Sequence, residues 1–117
     1  MDRDLKDRTK RFAIEIIKLV SEFPKTTVGF EIGKQLVRSG TSVGANYRSS
    51  QRGRSRAEFI SKLSVVQEEA DETVFWLEIT QDSDLLSEER VRPVLKEANE
   101  LTAIFTTMVI NSKNNRV

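Results

Sequence analysis

From Leu5 onward, apolar positions return at steps of three and four: Leu5, Thr9, Phe12, Ala13, Ile16, Ile17, Val20 and Phe23. This period places them on one face of a helix, which Pro24 stops because it cannot continue the hydrogen-bond ladder. Thr26 or Thr27 is placed to cap a second helix, in which Phe30, Leu36, Val37, Gly40, Val43 and Tyr47 keep the same spacing. Gly53 interrupts it. The run Ser55 to Glu58, SRAE, has capping-box spacing: the serine accepts from the amide three residues on and the glutamate reaches back to the cap amide. A third helix follows, with Phe59, Leu63, Val66, Ala70, Thr73, Val74 and Leu77 as its core stripe. Ser87 caps a fourth, where Glu88 and Glu89 suit the positive end of the helix dipole. Its stripe is Val94, Leu95, Ala98, Leu101, Thr102, Phe105, Met108 and Val109. Pro93 is comfortable only in a first turn, so the pattern predicts either a helix beginning near Arg92 or a bend there. The closing NSKNNRV is expected to fray. With no strand-like alternation and four long helices on short links, the expected fold is all-α: one domain over 1–117, an antiparallel up-and-down four-helix bundle.

The third helix carries more apolar surface than one core can take. At about 100° per residue Phe59, Ala70 and Leu77 fall together, Phe75 and Ile79 fall nearly opposite, and Val65 and Trp76 lie to one side. The expectation is a homo-oligomer in which Phe75, Trp76 and Ile79 meet a neighbouring subunit. The alternative is a wide helix face tucked under a loop.

Composition then removes chemistry. The 117 residues include no cysteine and no histidine, so disulfides, thiolate nucleophiles, serine–histidine triads and the usual zinc and di-iron sites are excluded. No cofactor, metal or enzymatic activity is expected. The longest apolar run, Val74 to Leu77, is far too short to cross a bilayer and the N-terminus is charged, which gives the expectation of a cytoplasmic protein without membrane contact.

A net charge of +1 hides a separation along the chain. Between Lys34 and Lys62 every charged residue but Glu58 is basic, and between Gln67 and Glu89 every one is acidic. Clustered cations are what a phosphate backbone selects through counter-ion release. Arg48 and Arg52 lie one turn apart near the end of the second helix, with Arg54 and Arg56 in the link that follows. With Arg38 and Lys62 they are the candidate nucleic-acid contacts. The alternative is that they suit a helix C-terminus and pair with acidic helices. Tyr47 is the one aromatic nearby, so stacking on single-stranded bases is weakly supported.

The stretch GTSVGANY is not a phosphate loop, because no Lys-Ser/Thr follows it and no strand precedes it. Gln35, Ser39, Ser42 and Asn46 instead form a polar stripe beside Gly40 and Gly44, which predicts a close helix crossing. Glu69 and Glu72 on the third helix are the expected partners of that stripe. The competing reading, a carboxylate and amide pocket for a metal or small ligand, has no other catalytic group to accompany it.

Arg8-Thr9 followed by Phe12 and Ala13, QLVRSGTSVGANY at 35–47, Glu58-Phe59-Ile60 and EADETVFWL at 69–77 together resemble the four-helix-bundle proteins encoded within intervening sequences of bacterial 23S ribosomal RNA genes. The resemblance covers nearly the whole chain. It implies an antiparallel bundle, a ring-like homopentamer and no catalytic activity. The chain is also similar to accessory proteins of diversity-generating retroelements, which implies a reverse transcriptase or other protein as a partner and nucleic acid on a basic surface. The matching Ser39, Ser42, Gly44, Ala45, Asn46, Glu72, Trp76 and Leu77 read as architecture. Where relatives tend to carry an acid after ANY, this chain has Arg48, which makes the corner more basic. The expected function is a non-enzymatic, self-associating accessory protein that binds structured RNA or DNA through phosphates. The alternatives are a protein-interaction scaffold with no nucleic-acid role and, third, metal-dependent hydrolysis at Glu69 and Glu72.

Overall fold

The computed structural model describes residues 2–114, with the side chains of residues 5–114. Four helices run α1 Asp2–Val20, α2 Thr27–Ser50, α3 Arg56–Asp82 and α4 Glu88–Asn114, and no strand occurs among the described residues. None of the helices is long and apolar enough to cross a membrane.

The caps sit where the sequence puts them. Thr26 accepts from the Gly29 amide at 3.0 Å and Ser55 from the Glu58 amide at 3.1 Å, each satisfying a donor that a helix start leaves orphaned. Glu58 reaches back one residue further than a capping box requires, to the Arg54 amide at 2.8 Å. The Arg90 amide donates to the Ser87 hydroxyl at 3.2 Å, so α4 begins at Glu88 and Pro93 lies inside it, past the first turn. That differs from a start near Arg92. The missing Pro93 amide leaves the Glu89 carbonyl without its usual helical donor. The helix also continues through Asn114, so the first part of NSKNNRV does not fray; Asn115 to Val117 lie outside the described residues.

Cross-helix contacts fix the topology. Gly40 lies against Ile16 and Gly44 against Thr9, Ser39 bonds Thr73, Gln67 bonds Thr106 and Arg8 pairs with Glu97. In each pair of helices rising numbers meet falling ones, so all neighbours are antiparallel. Each helix packs on the next, and α1 closes on α4 along a thinner seam. The bundle measures 50 × 21 × 20 Å.

Two glycines let α1 and α2 approach closely. A Cβ on Gly40 would stand 2.8 Å from Ile16 Cγ1, and one on Gly44 would stand 3.3 Å from the Thr9 backbone. The tight crossing expected from the polar stripe is therefore made with α1.

The core contains Phe12, Ile16, Leu36, Val43, Tyr47, Leu63, Val66, Leu77, Leu101 and Phe105. Two assignments are corrected. Ile17 is 50% exposed, and Leu19, on the same row as Phe12, Ile16 and Phe23, takes the buried place. Phe30 is 63% exposed, because it lies about 120° around α2 from Leu36 and so falls outside the buried row of Gly29, Gly33, Leu36, Gly40, Val43 and Tyr47. The thin α1–α4 seam is fastened by two arginine forks. Arg8 holds Glu97 through bonds of 2.7 and 2.8 Å and Glu100 at 2.8 Å; at the other end Arg90 holds Glu22 at 2.8 to 3.0 Å.

Ser39 and Thr73 are both fully buried, with hydroxyl oxygens 2.9 Å apart across α2 and α3. Thr73→Val is expected to cost about 1–3 kcal/mol, since it strands a buried serine hydroxyl. In urea unfolding, Ser39→Ala combined with Thr73→Val should cost less than the sum of the two single changes. Strict additivity would mean that the bond contributes nothing.

Candidate nucleic-acid interface

The N-terminal part of α1, the C-terminal part of α2, the start of α3 and the end of α4 meet at one end of the bundle. There the cations that are far apart in sequence converge. Lys6 and Lys10, one turn apart on α1, face Arg48 and Arg52 of α2 and its following link across a surface groove of about 390 Å³. Ala13, Gly44 and Ala45 leave its floor shallow, and Asp7 is the one carboxylate that lines it. Arg54 is exposed in the link, Lys62 is half-buried one turn into α3, and Arg56 donates to the Ser112 carbonyl at 3.0 Å, tying α3 to the end of α4. Lys6 and Lys10 escaped the sequence reading because acids are interspersed with the bases of α1, which therefore shows no run of one sign. The signal was the Lys-x-x-x-Lys spacing set against the antiparallel register of α2.

Apart from Arg11 on α1, which forms no salt bridge among the described residues, the described arginines divide into two sets. Arg8, Arg38, Arg90 and Arg92 are paired with carboxylates. Arg48, Arg52, Arg54 and Arg56, with Lys6, Lys10 and Lys62, form no salt bridge among the described residues. A cation already held by two acids gains little from a phosphate, whereas an unpaired, solvated one releases its counter-ions on binding.

Arg38 is therefore separated from the other candidates. It lies on the α2–α3 seam, bonded to Glu69 at 3.3 Å and to Glu72. This also overturns the expected role of the two glutamates, whose acceptors go to Arg38 and to the Trp76 indole, which donates to Glu72 at 3.1 Å. Two members of the polar stripe bond within α2, Ser42 donating to the Arg38 carbonyl at 2.6 Å and Asn46 to the Ser42 carbonyl at 2.9 Å, and Ser39 reaches α3 through the Thr73 hydroxyl and not through a glutamate. Gln35 is half-buried beside it. Short hydroxyls in a helix bond back to their own turn at less entropic cost than across to a long, mobile carboxylate.

Tyr47 is buried, its ring 5.4 Å from that of Phe105, and presents no face to a base. On α3, Phe75 is 50% exposed and meets the Trp76 ring edge-on at 4.9 Å. Trp76 and Ile79 are half-buried, Trp76 against the core.

The bond from Trp76, reinforced by Arg38, holds the Glu72 carboxyl below its ordinary value of 4.5. A lowered value favours the ionised form, so the contact persists above the ordinary range and is lost as pH falls through the lowered one. Emission from Trp76, the single tryptophan, should stay constant down to about pH 4.5 and change only below it. A transition centred above 4.5, or one unaltered in Glu72→Gln, would contradict this assignment.

Residues 1–107 match the model of the 23S rRNA-intervening sequence protein family. The chain belongs to that family. A solved structure agrees: a protein of unknown function from the S23 ribosomal protein family of Bacteroides thetaiotaomicron is similar with a TM-score of 0.83 and 32% identity, over 90% of this chain and 97% of that one. No curated protein matches the chain. The match of this intervening-sequence protein takes in α1 to α3 and most of α4, so the basic groove and the Arg38–Glu72–Trp76 network both fall inside the family region.

Proposed function

We propose that this intervening-sequence protein is a non-enzymatic, homo-oligomeric accessory protein, a ring-like pentamer, that binds the phosphates of structured RNA or DNA without reading sequence. The observation that carries the reading is the division of the arginines: those at one end of the bundle have no carboxylate partner among the described residues, and α1 adds Lys6 and Lys10 beside them. Arg48, Arg52, Arg54, Arg56 and Lys62 are the phosphate contacts from the link region, and Arg38 serves the bundle. Weak single contacts act together when several copies display them on one assembly.

Binding to a structured RNA and to a DNA duplex, measured across ionic strength, tests this. Affinity should fall steeply and by a similar factor for both ligands as salt rises, and affinity indifferent to salt would refute it. A second reading, a protein-interaction scaffold, draws support from the exposed Phe75 and Phe30. A polypeptide that co-purifies after nuclease treatment, together with salt-independent or absent nucleic-acid binding, would favour that reading.

A further inference from the structure

The α1–α2 face bears a second groove, of about 560 Å³, towards the end opposite the Arg48–Arg52 groove. Val20, Phe23, Phe30 and Val37 form its walls, Gly29 and Gly33 add no side chain to its floor, and Lys25 and Lys34 stand on its rim. Lys34 has only a loose pair with Glu31, at 3.9 Å. The complement of such a surface is an apolar ridge flanked by carboxylates.

The same chain carries one. On α3, Ile79 lies about 40° from Phe75 around the helix axis, and Asp71, Glu78 and Asp82 fall within about 60° of it on the other side. All three acids are exposed, and no base occurs from Gln67 to Glu89 to cancel them.

The two surfaces also lie at one height. Ser39 opposite Thr73 and Arg38 opposite Glu72 set the α2–α3 register, which brings Gly33 level with Glu78 and Val37 level with Val74, next to Phe75. A contact between two different patches repeats from copy to copy, and closes into a ring only if it adds no rise along the axis. Patches at equal height add none.

We propose that the Phe75–Ile79 ridge of one copy seats in the Phe30 groove of the next, its carboxylates facing Lys25 and Lys34. The contact is head-to-tail and keeps the bundles parallel, so every basic end lies on the same rim. This inference rests on the reading that the chain self-associates.

The chain has no cysteine, so an introduced thiol reports only on its own position. Lys34→Cys and Glu78→Cys variants, co-expressed and mildly oxidised, should give disulfide-linked dimers containing one of each. Neither variant should link to itself. Self-linked dimers from either variant alone would overturn the pairing, because they require like patches to meet. Oligomers by light scattering that show no cross-link would also overturn it while leaving self-association intact. A monomer at tens of micromolar would remove the underlying reading as well. As a second measure, Phe30→Asp should reduce the assembly to monomers with its helical circular dichroism unchanged; an unaltered oligomer would count against the groove.

Discussion

Replacing Gly40 by valine should lower the stability of the bundle by about 3 kcal/mol, the upper part of the range for overpacking a well-filled interior. The new Cβ alone would sit 2.8 and 2.9 Å from two carbons of Ile16, a fully buried side chain, and the branched methyls would reach further. Relief would require α1 and α2 to separate, which opens the contacts around Leu36 and Val43 as well. The helix-propensity gain over glycine is only a few tenths of a kcal/mol for a β-branched residue, too small to compensate. Urea unfolding gives the measure, as a lower midpoint at an unchanged slope. Ile16→Ala in the same chain should return part of the loss, because it empties the space that the valine needs. If the double variant is as unstable as the two single changes added together, Ile16 is not the obstacle.

The second large effect is on binding. Changing Arg48, Arg52 and Arg54 together to alanine should weaken nucleic-acid affinity on the order of a hundredfold in 0.1 M salt and flatten the salt dependence by about 2.7 log units per log unit. Each phosphate contact removed takes about 0.9 from that slope on duplex DNA. These side chains form no ion pair among the described residues, so melting should barely move. Arg38→Ala makes the opposite case. Its charge is already held by Glu69 and Glu72, so binding should persist while the α2–α3 seam loosens. Triple-variant affinity equal to that of the parent would remove the basic end as the binding surface.

What the sequence made legible was local. A cap and its amide are three residues apart and a buried stripe repeats every three or four, so Thr26, Ser55, Ser87 and most of the core could be placed from spacing alone. The failures came where the partner is distant. Glu72 stands 34 residues from Arg38, and nothing in helical periodicity says that this cation, rather than the nearer hydroxyls of α2, will face it. Phe30 steps in line with Val37, at the edge of the apolar face, and spacing by threes and fours does not say that the buried row of α2 runs instead through Gly29, Gly33, Leu36 and Gly40. The basic groove was half visible: Arg48 and Arg52 stood out in a run of cations, but Lys6 and Lys10 join them only once α1 and α2 are crossed at Gly44.

The molecule is a rod 50 Å long with Arg48, Arg52, Arg54 and Arg56 near one tip and Asp82, Asp84, Glu88 and Glu89 around the α3–α4 turn near the other. In 0.1 M salt electrostatic influence decays over about 10 Å, so the tips ignore each other. Near-neutrality as a whole is then no obstacle to a polyanion: under the proposed function it would meet the positive end as though the negative one were absent, with the acidic crown left to solvent.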